Sequence, residues 1–237
     1  MLHVRALLFD FDGVLADSEA LHWRGLDQVA RQRWDHAISR EEYDNNLIAL
    51  DDYGSIVWLA AQHGETLPAL AVRSLVAEKQ SYLADQLSLS PLLPGAEQIW
   101  RSACSGYRTA IVSGALRPEI EAILAHHHLP APDTIIAAGE SAHGKPAPTP
   151  YTDAIAQLGE LVAAQGEPPL HPTHCLAIED TAGGIASARH AGVWTIRLAS
   201  GAPEPRPDEP QPHLTISSWQ NQELSSLCQR ISTKEVI

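Results

Sequence analysis

The sequence has 237 residues, of which 44 % are apolar, and a formal net charge of −13. This length allows one large α/β domain, or a core with a smaller inserted domain. An acidic surface repels nucleic-acid phosphate, and no segment reaches the ~18 consecutive apolar residues of a membrane span. We therefore expect neither nucleic acid nor a membrane as partner. The first apolar run is too short for a signal-peptide core, so a cytoplasmic location is expected by default.

Short apolar runs without polar alternation recur along the chain, at residues 4–9, 107–112, 134–138, 175–178 and 193–198. Such runs are typical of strands that are buried on both faces of a parallel sheet. The segments between them have helical spacing, and several begin with proline in the first turn or end at glycine. The alternation predicts an α/β fold with a doubly wound parallel sheet.

Residues 17–90 interrupt this rhythm, because they contain helical patterns at 18–34, 40–46, 53–63 and 68–87 and no strand run. The segment ends in a turn-rich stretch that begins Ser90-Pro91. We therefore predict a core made of residues 1–16 and 91–237, with an all-helical domain of residues 17–90 inserted after the first strand.

The remaining segments are expected to be peripheral. Residues 202–212 are rich in proline and predict an extended loop, followed by an edge strand at 214–216 and a closing helix at 219–231. Residues 160–174 predict an unusually long, Pro-rich surface loop. The three cysteines lie far apart without a CxxC pair, which predicts reduced, packed thiols.

Two carboxylates, Asp10 and Asp12, come directly after the first predicted strand. Ligands of open α/β sheets bind at the carboxyl ends of the strands. Gly13 supplies the backbone freedom that the chain needs to turn away. Taken alone, an Asp-Gly pair is also a common turn.

Three further segments carry polar groups. Ser113 and Gly114 follow a strand and could hold phosphate oxygens, Lys145 stands in a loop before a helix, and Glu179-Asp180 follow another strand and offer oxygen ligands for magnesium. Individually these residues also suit a turn, a solvated lysine and a helix cap. Together with the first acid pair they form a complete set for phosphoryl transfer.

The sequence resembles the haloacid dehalogenase superfamily, in the branch that holds β-phosphoglucomutase and phosphoglycolate phosphatase. The resemblance rests on four motifs in order, DFDGVLADS, VSG, GKPAPTPY and IEDTAGGIASARHAG, and covers nearly the whole chain. It implies a helical cap domain at residues 17–90 and a Mg²⁺-dependent phosphatase acting on a small phosphorylated metabolite such as a sugar, polyol or glycolate phosphate. A monomer or weak homo-oligomer is expected, since cap closure needs one chain only.

The resemblance also implies roles for the motif residues. Asp10 attacks phosphorus and binds the metal, while Asp12 offers its backbone carbonyl to the metal and its side chain as general acid and base. Ser113, with the Gly114 amide, and Lys145 hold the phosphoryl group. Asp180 binds the metal, and Glu179 binds it directly or through a water molecule. A general acid must be protonated, so we expect an environment that raises the pKa of Asp12.

Two residues are weaker candidates for substrate contact. His22 matches a histidine often found at the start of this branch's cap, although a packed cap histidine is an equally good interpretation. Arg117 follows Ser113 closely and could face a second anionic group, although a helix-surface arginine is the more ordinary interpretation.

Alternative activities of the same superfamily remain open. A phosphomutase shares all four motifs but needs a cation in the cap for a second phosphate, whereas the matching stretch at 49–55 contains Asp51 and Asp52. Phosphonatase chemistry needs a cap lysine near the start of the insert, and Lys79 lies late in it. A non-catalytic phosphate-binding protein would be expected to lack Asp10, Asp12 or Asp180, and all three are present.

Overall fold

A computed structural model describes residues 3–48, 50–199, 201 and 203–233. Its centre is a parallel sheet with the strand order β3-β2-β1-β4-β5-β6. The strands are β1 (Ala6–Phe9), β2 (Arg108–Val112), β3 (Thr134–Ile136), β4 (Cys175–Glu179), β5 (Trp194–Leu198) and β6 (Leu214–Ile216). The predicted fold class is confirmed, including the edge strand at 214–216.

Nine helices of the described chain surround or extend this sheet. They are α1 (Glu19–Trp34), α2 (Arg40–Asn46), α3 (Asp52–Gln62), α4 (Ala69–Leu87), α5 (Ala96–Gly106), α6 (Arg117–His126), α7 (Thr149–Ala164), α8 (Ala182–His190) and α9 (Leu224–Ser232). A 3-10 turn, Pro172–His174, precedes β4.

Each face of the sheet has its own hydrophobic core. On one face, Phe9 and Ile111 pack with Trp100 of α5 and Leu227 of α9. On the other face, side chains of α7 and α8, among them Tyr151, cover the opposite side of β1, β2 and β4. Burial on both faces explains why the strand sequences are apolar without alternation.

Helices α1–α4 follow β1 and have a separate apolar cluster that includes Leu26, Ile56 and Val76. The chain enters and leaves this helical segment at adjacent points, because Asp17 N donates to Pro91 O and Leu93 N donates to Leu15 O, at 2.8 and 2.9 Å. Both features support the proposed division at 16/17 and 90/91, which stays a prediction.

Two peripheral expectations need correction. Helix α7 continues to Ala164 and a 3-10 turn spans Pro172–His174, so the long loop expected at 160–174 is reduced to residues 165–171. Helix α9 begins at Leu224 rather than at 219, because Trp219 is buried and donates its indole hydrogen to Val14 O at 2.6 Å. The proline-rich loop is described from 203 onward, and residue 202 lies outside the described residues. No helix in the ranges described here is long and apolar enough to cross a membrane.

Candidate active site

The turn after β1 brings Asp10 and Asp12 to the carboxyl edge of the sheet. Asp10 extends the strand, since its backbone N–H donates to Ile178 O of β4 at 2.9 Å. Gly13 then adopts φ 70°, which a residue with a side chain rarely adopts, and the chain turns toward Ala16. Asp10 is buried at 8 % exposure, so its carboxylate faces the protein rather than bulk water.

Lys145 reaches the same point from the loop before α7. Its Nζ lies 2.9 Å from Asp10 Oδ1 and 2.6 Å from Glu179 Oε1. Burial alone would lower the pKa of Lys145, but Asp10 and Glu179 outweigh burial and raise that pKa above its usual range. Lys145 therefore places a permanent positive charge between the first and last motifs.

Glu179 and Asp180 complete a buried group of carboxylates with Asp10. One oxygen from each of the three lies within 4.8 Å of the others. Burial raises the pKa of Glu179 to about 7, and burial together with Asp10 raises the pKa of Asp180 as well. A divalent cation would remove this mutual repulsion, and oxygen ligands are those that Mg²⁺ prefers.

Glu179 is held in place by two neighbours. The Tyr151 hydroxyl donates to its Oε1, the oxygen that also faces Lys145. The other oxygen, Oε2, is buried without a hydrogen-bond partner among the described residues. A buried carboxylate oxygen without a partner is costly, and it fits a ligand position for the predicted magnesium ion.

Ser113 and Gly114 follow Val112, the last residue of β2, and lie beside the acid pair. The Ser113 hydroxyl oxygen accepts a hydrogen bond from Ala115 N at 3.0 Å, which leaves its hydrogen free to donate into the cavity. Both residues line one cavity together with Asp10, Asp12, Lys145 and Asp180. The predicted phosphate-binding and metal-binding residues thus lie together, although they are spread over 170 positions of sequence.

Asp12 has a different environment from the one expected. The hydroxyl of Ser18 donates to its Oδ1, and His22 Nε2 lies 3.2 Å from the same atom. Burial alone would raise the pKa of Asp12, but His22 and Ser18 outweigh burial and hold that pKa below its usual value. The expected rise in the pKa of Asp12 is therefore wrong for this structure, because its neighbours stabilise the carboxylate.

His22 connects Asp12 to Lys79, a residue to which the sequence assigned no role. Lys79 Nζ lies 2.8 Å from His22 Nδ1 and also donates to Asp52. Burial and Lys79 lower the pKa of His22, yet Asp12 and Asp52 outweigh them and raise it to about 9. A neutral His22 ring that accepts from Lys79 at Nδ1 carries its hydrogen on Nε2, and a protonated ring carries hydrogens on both nitrogens. In either state His22 presents an N–H to Asp12.

Lys79 is fully buried in α4, with 0 % exposure. The signal available in the sequence was the position of Lys79 on an apolar face of a predicted helix, with Leu75, Val76 and Leu83 three or four positions away. The chain has three lysines in all. Its partners are 57 and 27 residues away, and only the packing of α1, α3 and α4 brings them together. The second missed residue, Tyr151, stands at the end of the third motif.

Arg117 does not line this cavity. It begins α6 and holds Glu140 with two hydrogen bonds, Nε to Oε1 at 2.7 Å and Nη2 to Oε2 at 2.8 Å. The side chain is 40 % exposed and faces a different depression beside β3. The structure therefore favours the helix-surface interpretation of Arg117 over contact with a second anionic group.

The comparisons with known proteins agree with this geometry. A family model described as haloacid dehalogenase-like hydrolase matches residues 4–192. The protein CbbY of Rhodobacter capsulatus is 35 % identical over 211 residues, which cover 84 % of this chain and 87 % of CbbY. The fructose-1-phosphate phosphatase YqaB of Escherichia coli strain K12 is 28 % identical over 200 residues, 79 % of this chain and 92 % of YqaB.

A solved structure shares the fold over nearly the whole chain. The crystal structure of CbbY from Rhodobacter sphaeroides in complex with phosphate matches with a TM-score of 0.74 and 25 % identity, covering 92 % of this chain and 96 % of that one. The family predicted from the four motifs is confirmed, and so is the enzyme class, a hydrolase of the phosphatase type. The chain belongs to the haloacid dehalogenase-like hydrolases.

Proposed function

We propose that this hydrolase is a magnesium-dependent phosphatase that forms an aspartyl-phosphate on Asp10 and acts on a small sugar or polyol monophosphate. One observation carries the proposal. Asp10 lies in a cavity with Lys145 at 2.9 Å, and with Glu179 and Asp180 within 4.8 Å, so a nucleophile, a phosphate-binding cation and a metal site converge on one point. This combination matches the needs of phosphoryl transfer.

The protein groups divide the work in two displacements. Asp10 attacks phosphorus and the leaving oxygen departs, and water then attacks the aspartyl-phosphate and releases inorganic phosphate. Lys145 and the Ser113 hydroxyl hold the phosphoryl oxygens while this happens. Asp10, Glu179, Asp180 and the Asp12 backbone carbonyl would hold Mg²⁺, which supplies charge neutralisation and orientation for the phosphate.

Asp12 serves as acid in the first step and as base in the second. Its pKa is held low by His22 and Ser18, so in the free protein it carries a negative charge. A bound phosphate dianion favours its protonation, because a like charge nearby raises the pKa of a carboxyl group. Asp12 then protonates the leaving oxygen, and the carboxylate so formed accepts a proton from the attacking water.

The cavity favours a monophosphate over the bisphosphate that a mutase must hold. Of the described residues that line it, Lys145 is the one lysine and none is an arginine. Lys145 already faces Asp10 and Glu179. The cap lysine, Lys79, is committed to Asp52 and His22 and does not line the cavity. His22, whose pKa is raised to about 9, also lines the cavity, but it faces Asp12. A second phosphate would therefore meet no lysine or arginine that is free of a carboxylate partner there. The name of the relative YqaB gives fructose 1-phosphate as its substrate, and that compound is a sugar monophosphate.

The first prediction concerns Asp10. Purified protein should release phosphate from p-nitrophenyl phosphate and from a panel of sugar, polyol and glycolate phosphates in the presence of magnesium. EDTA should abolish the release, and Asp10→Asn should reduce it by at least about 10³-fold, because the amide oxygen is a poor nucleophile.

Asp17→Asn is the matched control, since it makes the same chemical change in the same motif at an exposed position. It should retain activity. Full activity of Asp10→Asn would exclude the covalent route. An inactive but folded and magnesium-binding wild type would redirect the search to mutase assays with a bisphosphate activator.

A further inference from the structure

We propose that Asp51 determines specificity, by selecting leaving groups that carry a neutral hydroxyl next to the phosphate ester and disfavouring those with a second anion. The inference rests on the proposed function, because it assumes that the phosphate ester binds between Ser113 and Lys145.

The structure separates the two carboxylates at positions 51 and 52. Asp52 is buried and forms an ion pair with Lys79, so its charge is compensated inside the helical segment. Asp51 uses Oδ1 to cap α3, where it accepts from Gly54 N at 2.7 Å. Within the described ranges no basic side chain pairs with Asp51, and Asp51 lines the cavity. Asp51 is thus the carboxylate of this pair that a substrate would meet uncompensated.

Two glycines show how close Asp51 lies to the phosphate-binding loops. A Cβ atom added at Gly144, which precedes Lys145, would lie 3.0 Å from Asp51 Oδ2. A Cβ atom added at Gly114, which follows Ser113, would lie 3.3 Å from Asp51 Cα. Asp51 therefore sits over the junction of the two loops, beside the place where the ester oxygen of a bound phosphate would leave.

The chemistry of a carboxylate fixes which neighbours it accepts there. Asp51 Oδ2 accepts a hydrogen bond from a hydroxyl group but repels a carboxylate or a second phosphate. Burial raises the pKa of Asp51, the hydrogen bond from Gly54 N lowers it, and the nearby charge of Asp52 raises it further. The net rise is expected for a carboxyl group that has no cation beside it.

Three more groups that line the cavity have the same preference. The Tyr43 hydroxyl donates to Glu19, and both line the cavity with Ser55. These groups offer hydroxyl and carboxylate oxygens, which suit further hydroxyl groups of a sugar or polyol. They provide no positive charge for a distant anion.

The test compares three phosphates and three variants. The substrates are fructose 1-phosphate, which has a hydroxyl next to the ester, phosphoglycolate, which has a carboxylate there, and xylulose 1,5-bisphosphate. Asp51→Asn removes the charge at constant size, and Asp51→Ser shortens the side chain, while both keep an N-cap for α3. Asp35→Asn removes one charge from an exposed position with φ 53°, which Asn tolerates.

Wild type should prefer fructose 1-phosphate in kcat/KM. Both Asp51 variants should shift the ratio of kcat/KM for fructose 1-phosphate to that for phosphoglycolate, and likewise to that for the bisphosphate, by about tenfold toward the anionic substrates. Asp35→Asn should leave the ratios unchanged.

Unchanged ratios in active Asp51 variants, or a wild type that prefers the bisphosphate, would overturn the role of Asp51 while leaving the phosphatase intact. A wild type that releases no phosphate from any ester would instead overturn the proposed function on which the role rests.

Discussion

Gly184, in the first turn of α8, lies directly against Glu179, a carboxylate of the proposed metal site. A Cβ atom at this position would lie 1.9 Å from Glu179 Oε2, far inside van der Waals contact. Only glycine allows this close approach, because any side chain would collide with the carboxylate. Glycine itself destabilises a helix by about 1 kcal/mol relative to alanine, and the close approach explains why it stands here. The absence of a side chain at Gly184 therefore allows Glu179 Oε2 to occupy its observed position.

Replacing Gly184 with alanine should displace Glu179 and weaken the metal site. We expect Gly184→Ala to lose about 1–3 kcal/mol of folding free energy through overpacking, and to lose most of the rise in Tm that magnesium gives wild type. Differential scanning calorimetry with and without Mg²⁺ measures both effects.

Gly159→Ala is the control for this prediction. Gly159 also lies in a helix, α7, but a Cβ atom there has nothing within 4 Å, so the substitution should be neutral or mildly stabilising. An identical magnesium shift for Gly184→Ala and wild type would show that Glu179 is not a ligand.

At the residue scale, the sequence predicts which residues form the site better than it predicts their neighbours and pKa values. Asp10, Ser113, Lys145 and Asp180 converge because parallel strands end at one edge of the sheet, a rule that holds without coordinates. The low pKa of Asp12 could not be predicted, because it depends on His22 and Ser18 lying against one oxygen. The first motif contains Ser18, and His22 was a candidate, but their contacts with Asp12 depend on how α1 packs, which the sequence does not show.

Among the elements, α1, α3 and α4 are linked by one buried cation. Lys79 of α4 binds Asp52 at the start of α3 and His22 of α1. Burying an ion pair requires both charges to lose their hydration. Removing one partner leaves the other charge buried and unpaired, whereas removing both leaves no buried charge, so the single variant should lose more stability than the double variant. The linkage fixes the relative position of three helices around the leaving-group side of the cavity.

Lys79→Met should destabilise the protein by about 3–5 kcal/mol, because it leaves Asp52 buried without its cation. The double variant Lys79→Met/Asp52→Leu should recover part of this loss, since no charge then remains uncompensated. Urea denaturation of the single and double variants measures the difference. A double variant less stable than Lys79→Met would contradict the role assigned to the pair.

Element boundaries follow local chemistry where it is strong. Helix α2 matches its predicted range because Ser39 caps it by accepting from Glu42 N at 3.0 Å. The start of α9 was mispredicted because burial of Trp219 against Val14, 205 positions away, overrides helical periodicity. Helix α7 was expected to end early, since the prolines after it were assigned to a longer loop.

For the molecule as a whole, the charge of −13 opposes the approach of an anionic substrate. Asp10, Glu179 and Asp180 concentrate negative charge at the site itself. The same field attracts magnesium. Substrate and cofactor should therefore respond to salt in opposite directions, since screening weakens repulsion and attraction alike.

Raising KCl from about 10 to about 150 mM, at saturating Mg²⁺, should increase kcat/KM for p-nitrophenyl phosphate by about twofold or more. The apparent Kd for Mg²⁺ should rise over the same range, which provides an internal control in one protein. A kcat/KM that falls with salt would indicate a positive local potential over the cavity.

The chain enters and leaves the helical segment at neighbouring positions, where Ala16 pairs with Leu92. Both connections could therefore be severed and rejoined at one place without disturbing the sheet that carries Asp10 and Asp180. A segment attached in this way can be replaced as one unit. Replacing it would change which leaving groups are accepted and would leave the catalytic residues of the sheet unchanged. Substrate specificity can therefore evolve without any change in the residues that transfer the phosphoryl group.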